Sequence, residues 1–194
     1  MGEQEGLLER AEAGDPTAQY DLACFYLSSG NQGDVVLAAQ WFAKAAEQGY
    51  AAGQYELGVC YCAGRGIGQD SEQALHWFHL SADQGYPRAQ HNLGVRYSIG
   101  KGHAKDAAIG AQWFAKAAEQ GHGLSQFKLA VMYALGWGVT KDEERAWELF
   151  HQSEQIGRNE ANDELDSILK IEADRSCWFK EAVENGYTEI LFRE

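Results

Sequence analysis

The chain predicts an all-α fold, a right-handed αα superhelix of about five and a half 36-residue helix-turn-helix repeats. Three observations carry that expectation. The ten residues Gln40 to Gly49 return unchanged as Gln112 to Gly121, with His76-Trp77-Phe78 to Gln84-Gly85 midway, so the step is 36 residues each time. Asp34, Asp70, Asp106 and Asp142 recur at the same step, as do Gly49, Gly85, Gly121 and Gly157. The composition is rich in Ala and 45% hydrophobic with only two prolines, which suits packed helices and argues against disorder.

One helix of each unit carries Ala38, Trp41, Phe42, Ala45 and Ala46 at helical spacing, an apolar stripe opposite Gln40, Lys44 and Glu47. It starts at the recurring Asp, whose carboxylate accepts from the orphan N–H groups of the first turn and favours the positive helix end. It stops at the recurring Gly, which adopts the left-handed C-terminal conformation without a side-chain clash. A fourth copy places Leu149-Phe150 and Gly157 in frame, and a degenerate first copy ends at Gly14, one residue short of the period.

The other helix carries Leu22, Leu57, Leu93 and Leu129, then Ala23, Gly58, Gly94 and Ala130, then Tyr26, Tyr61, Tyr97 and Tyr133. The small middle residues let two helices approach closely. Pro16 and Pro87 occupy its first turn, where a missing N–H has no intrahelical partner to lose. Gly64/Gly66, Gly100/Gly102 and Gly136/Gly138 then turn the chain into the next unit. The expected organisation is one domain over 1–194. Within it lie a degenerate repeat at 1–33, regular repeats at 34–69, 70–105 and 106–141, a divergent repeat at 142–173, and a capping helix and tail at 174–194.

The pattern Ala-x-x-Trp-Phe-x-Lys-Ala-Ala-Glu-Gln-Gly, followed by Leu-Gly-x-x-Tyr-x-x-Gly-x-Gly, resembles the Sel-one-like repeat (SLR), a relative of tetratricopeptide repeats. The resemblance runs strongly from Glu3 to Gly157 and weakly through Leu165, Leu169, Trp178-Phe179 and Gly186-Tyr187. It implies an antiparallel-helix solenoid acting as an adaptor or scaffold for protein complexes, without cofactors. Two departures matter. Secreted SLR proteins that pair two cysteines within each repeat have no counterpart here. After Leu169 the Gly-x-Gly turn is absent and Trp178 follows Leu149 by only 29 residues, which marks a C-terminal cap.

Cys24, Cys60, Cys62 and Cys177 occur in no paired spacing, so neither a disulfide framework nor a thiolate metal site is expected, and they read as small buried residues. Met1 to Asp15 has no apolar core of a secretory signal, and Gly6 stands where a myristoylation motif needs Ser or Thr. No stretch approaches the roughly 20 apolar residues of a membrane span. The expected compartment is the cytoplasm, and the chain looks bacterial.

The net charge is −13. Residues 1–20 hold five acids against one base, residues 21–141 nine against nine, and residues 142–174 eleven against three. Acidity concentrated at the ends repels nucleic acid and anionic membrane and steers a basic partner; a polar outer face for solubility explains it equally.

No Gly-x-Ser-x-Gly elbow, phosphate loop or His-Glu-x-x-His motif is present, so no catalytic residues, cofactor or metal site are expected. His76 and His79 lie one helical turn apart, but two ligands do not make a site, and they read as surface polar residues. In tetratricopeptide-like stacks the first helix of each pair lines the concave face, and its non-core positions meet the ligand. The candidates are His76, His79 and Asp83, then Gln112 and Lys116, then Trp147, Glu148, His151 and Gln152. Trp147 replaces Ala39, Leu75 or Ala111; it either anchors a partner or fills a gap against the cap. Trp137 stands between two glycines where the sister loops hold Arg65 and Lys101, and either contacts a partner or folds back on its own helices.

These readings give a non-catalytic protein-binding module, monomeric or weakly dimeric, with a basic protein partner. The concrete form is an immunity protein that neutralises a basic cognate toxin. The rivals are an adaptor in a signalling or secretion complex, and a hydrolase of the type described for cysteine-rich relatives acting on β-lactams, for which no activated serine is evident.

Overall fold

The computed structural model describes residues 2–28, 31–100 and 105–157. Among them every regular element is a helix: α1 (Gly2–Glu12), α2 (Pro16–Ser28), α3 (Gln32–Glu47), α4 (Ala51–Ala63), α5 (Ser71–Asp83), α6 (Pro87–Ile99), α7 (Ala107–Glu119), α8 (Gly123–Leu135) and α9 (Glu143–Gly157). The expected cap over 174–194, the end of the divergent repeat and Cys177 lie outside the described residues. The chain divides into two compact units, Met1–Ala89 and Gln90–Glu194.

Helix starts follow the recurring aspartate, with one exception. The Asp70 carboxylate accepts from the N–H groups of Glu72 and Gln73, and Asp106 accepts from Ala108 and Ile109. Asp142 accepts from Arg145 at 2.9 Å. In α3, however, the cap is Asn31, whose side chain accepts from Gly33, and Asp34 sits inside the first turn. Asn at 31 offers an equivalent acceptor three residues earlier, so the helix gains a turn and Asp34 is left to complement the helix dipole. Gly49, Gly85 and Gly121 adopt φ of 84°, 87° and 81° beyond the helix C-termini, the left-handed conformation that glycine tolerates.

In the first unit, α2 packs on α1 and α3, and α4 on α3 and α5. The core column is Ala38, Phe42, Ala46 and Leu57, all buried. Trp41 and Trp77 are only half-buried along its edge. Gly58 is required here: a Cβ would lie 2.8 Å from the Phe78 ring, closer than ordinary contact. The turn glycine Gly66 lies against the Val35 carbonyl and Ala39, so the Gly-x-Gly turn after α4 closes over the start of α3.

The second unit repeats this scheme. Phe114, Phe127, Leu129, Ala130 and Met132 form its core, and Trp113 is also buried. Gly94 faces the Phe114 ring and Gly138 lies on the Ala107 backbone. Gly110 departs from Ala38, Ala74 and Ala146 for a visible reason, because the Ser98 hydroxyl occupies the space its Cβ would take.

A polar ladder recurs in each unit. The Gln19 amide donates to the Ala11 carbonyl at 3.1 Å, Gln54 to Ala46 at 3.2 Å and Gln126 to Ala118 at 3.1 Å, each binding the preceding helix end. Glutamine carbonyls of this column also accept: Gln19 from Gln48 at 2.7 Å, Gln54 from Gln84 at 2.7 Å and Gln90 from Gln120 at 2.8 Å. Gln19 and Gln54 thus have donor and acceptor both satisfied. Gln126 differs, with its Oε1 buried and unpartnered; the sequence has Ile156 at the repeat position of Gln48, Gln84 and Gln120.

Candidate functional site

Helical spacing fixes where the candidate residues point. On α5, His76 and Asp83 are exposed, His79 is half-buried, and the His76 ring meets Trp77 edge-on at 5.4 Å. On α7, Gln112 and Lys116 are exposed, and the Lys116 ammonium sits 3.8 Å from the centre of the Trp113 ring. Lys44 covers Trp41 in the same way at 3.6 Å. Both lysines follow their tryptophan by three positions, one turn along the helix, which places the cation on the negative ring face. Their charge therefore already has a partner within the chain.

Trp137 folds back. Its ring is half-buried against the second unit's core, with the Lys105 ammonium 5.5 Å from its centre. The apolar surface that an exposed loop would have offered is used internally.

Trp147 is the opposite case. Its column holds Ala39 and Ala111, each 3% exposed, yet Trp147 is 47% exposed. It stacks with Phe150, at 6.1 Å and 21° between planes, and meets His151 edge-on at 4.3 Å. Glu148 lies on the same helix and accepts from Arg145 at 2.8 Å, while Gln152 is exposed one turn beyond. The structure therefore brings Trp147, Glu148, His151 and Gln152 together on α9, while the α5 and α7 candidates stand on their own helices.

Some polar features were not anticipated from the sequence. His91 and His122 face each other at 4.9 Å, and both Nδ1 atoms approach the Ser125 hydroxyl, at 2.9 and 3.0 Å. In the first unit the same columns pair Tyr20 with Tyr50 and Tyr55 with Tyr86. His122 Nδ1 also accepts from the Ser125 N–H at 3.3 Å, capping α8, so this nitrogen is unprotonated. A consistent arrangement has His91 Nδ1–H donating to Ser125 and the Ser125 hydroxyl donating to His122. Burial pushes the His91 pKa down to about 3, with the His122 and Lys128 charges acting in the same direction. The hydroxyl is fully buried, so the set caps a helix and presents no nucleophile to solvent. Its signal in the sequence is simultaneous departure in three columns, where Tyr, Tyr and a small residue become His, His and Ser.

Arg96 is a second missed departure. It is 1% exposed in a column where Cys60 and Met132 are core residues. Cys60 follows the expected burial, Cys62 is half-buried, and Cys24 is exposed; it lies early in the first unit, and burial of its thiol is incomplete. Among the described residues no group of three or more His, Cys, Asp or Glu is placed to hold a metal ion. Among the same residues no helix is long and apolar enough to cross a membrane.

The family model of the Sel1 repeat matches residues 16–50, 51–86, 87–122 and 123–155. It begins each unit with the Leu/Gly/Tyr helix rather than the Trp-Phe helix, so it pairs α2 with α3 and α4 with α5 where the expected units pair α3 with α4 and α5 with α6; a periodic array has no privileged origin. The crystal structure of a protective antigen present in uropathogenic Escherichia coli strains, displaying an SLR fold, is 40% identical with a TM-score of 0.75 over 79% of this chain. A Sel1 repeat protein from Oxalobacter formigenes is 32% identical with a TM-score of 0.72, also over 79% of this chain. The chain spans 33% of the first protein's length and 62% of the second's. Helicobacter pylori cysteine rich protein B, at 23% identity and a TM-score of 0.52 over 65% of this chain and 90% of its own, shares the fold. Comparison with curated proteins gives no match. With four repeats matched from residue 16 to residue 155 on a scaffold of paired helices, the chain belongs to the Sel1 repeat family.

Proposed function

We propose that the chain is a non-catalytic module that binds a basic protein partner, and that its role is to neutralise that partner, as an immunity protein neutralises a toxin. Sel1 repeats are protein–protein interaction modules. The observation that carries the finer reading is the uneven charge: a net −13, with eleven acids against three bases over 142–174. Helix α9 opens that stretch and couples its acids to an exposed aromatic side chain, the combination that steers and then anchors a basic surface. Non-catalytic action is supported by the serine–imidazole set of Ser125 with His91 and His122 being closed to solvent at its hydroxyl and committed to capping α8.

The test is capture from the producing cell with quantitative mass spectrometry at low and high salt. The expected partner has a pI above about 9 and is released as salt rises toward 0.5 M, roughly the range in which surface charge is screened. Capture of a neutral or acidic protein with salt-insensitive affinity removes the basic-partner reading and leaves an adaptor.

A further inference from the structure

Trp41, Trp113 and Trp137 each hold a lysine ammonium of their own chain over the ring, at 3.6, 3.8 and 5.5 Å. In α3 and α7 the lysine stands three positions after the tryptophan. In α9 that position is Phe150, and no cation of the described residues lies over Trp147, the most exposed large hydrophobic side chain. One turn before Trp147 stands Glu144, exposed, with no ion pair or hydrogen bond among the described residues. Beside it stands Glu148, held by Arg145 at 2.8 Å. The Phe150 ring stacks with the indole and the His151 ring stands nearly perpendicular to it.

We propose that Trp147, with Glu144 and Glu148, is the seat for an arginine side chain of the basic partner. The reading rests on the proposed function and names its chemistry. A guanidinium stacks flat on an indole and reaches a carboxylate with the same planar group, whereas an ammonium does one or the other. A second copy of this chain is a poor occupant, because residues 1–20 and 142–174 are both acidic and repel their own kind. The same column in α3 and α7 holds alanine, so Trp147 serves no packing role that the repeat demands.

The test uses the full chain labelled with 5-fluorotryptophan, the Trp147 resonance being identified by its loss in W147F. Three hexapeptide amides of alternating glycine with arginine, lysine or citrulline are titrated at ~50 mM salt. The arginine peptide is expected to shift the Trp147 resonance saturably, the lysine peptide several-fold more weakly, and the uncharged citrulline peptide not at all. E144Q/E148Q is expected to weaken the arginine peptide about threefold, an effect that fades at ~0.5 M salt. W147A, which lacks that resonance and is read by isothermal titration calorimetry, is expected to weaken the arginine peptide about tenfold with an unchanged melting temperature. Equal shifts from arginine and citrulline peptides, or shifts confined to the other tryptophans, overturn the seat. So does a Trp147 resonance blind to exchange of H2O for D2O, which means that the chain itself covers the ring, or one that moves on dilution alone, which means a second copy. A captured basic partner that binds W147A and wild type equally overturns the seat while leaving the proposed function standing.

Discussion

Acidification from pH 7 to 5 is expected to destabilise the second unit through His91. Its imidazole lies 5.4 Å from the Phe114 ring and 4.9 Å from His122, with Nδ1 on the Ser125 hydroxyl. Burial is the main reason its pKa falls to about 3, and the His122 and Lys128 charges add to it. In the unfolded chain a histidine titrates near ~6.5. The unfolded state therefore takes the proton first, so this contribution is fully present above pH 6.5 and is lost as pH falls from there toward 3. The loss amounts to about 1 kcal/mol at pH 6 and about 2 kcal/mol at pH 5. The same column holds Tyr20, Tyr55 and Phe127, so H91F keeps a ring of accepted size and removes the titration. Glu56, whose carboxyl is pushed up by burial, works in the opposite sense but is common to both proteins and cancels in their difference. Urea unfolding at pH 7, 6 and 5 gives that difference directly. If the gap between wild type and H91F stays constant over this range, or the His91 imidazole titrates near 6.5 by NMR, the burial argument is wrong.

Three substitutions test the packing. G94A places a Cβ 2.6 Å from the Phe114 ring, which must retreat by about 1 Å; overpacking of about 1 to 3 kcal/mol against a helix-propensity gain of about 1 kcal/mol gives a net loss of about 1 kcal/mol in urea unfolding. A more stable G94A would show that the ring has room. Q54L removes the bonds to Ala46 and Gln84 and is expected to lose about 2 kcal/mol, whereas Q126L gives up a single bond and an unpartnered carbonyl and should lose less; equal losses would deny the ladder its energetic role. W77F discards an indole N–H that is buried without an acceptor, so its melting temperature should stay close to that of wild type, while W77A costs about 2 to 3 kcal/mol, below the roughly 3 to 5 of a fully buried Trp. A W77F loss as large as that of W77A would mean the N–H is bonded.

The repeat was legible because two periodicities coincide: the apolar stripe of Ala38, Phe42 and Ala46, and its Asp and Gly punctuation. Column position alone could not tell Trp137 from Trp147. Both are departures from smaller or charged siblings, but one is drawn onto a core by its turn and a lysine, and the other is left exposed. The α3 start was misplaced because Asn31 and Asp34 are both competent caps and only the three-dimensional path chooses between them. The His91–Ser125–His122 set was missed because its members lie 31 and 3 residues apart, and motif spacing gives no reason to join them.

Departures from the repeat fall into two physical kinds. Some compensate one another: Ser98 occupies the space left by Gly110, and His91, His122 and Ser125 change together so that both Nδ1 atoms and the buried hydroxyl bond one another. Such changes preserve packing and need no outside agent. Others are uncompensated: Trp147 enlarges an alanine position without acquiring a cation, and Gln126 keeps its buried carbonyl although the donor position has become Ile156. Both belong to the α8–α9 hairpin. An unmet carbonyl and an exposed indole each disfavour the isolated chain by a small amount, and a sequence retains such features most readily where something else contacts them. On that ground the proposed recognition is assigned to α9 rather than to α3 or α7, where Lys44 and Lys116 already lie on Trp41 and Trp113 and would have to leave those rings before meeting a partner.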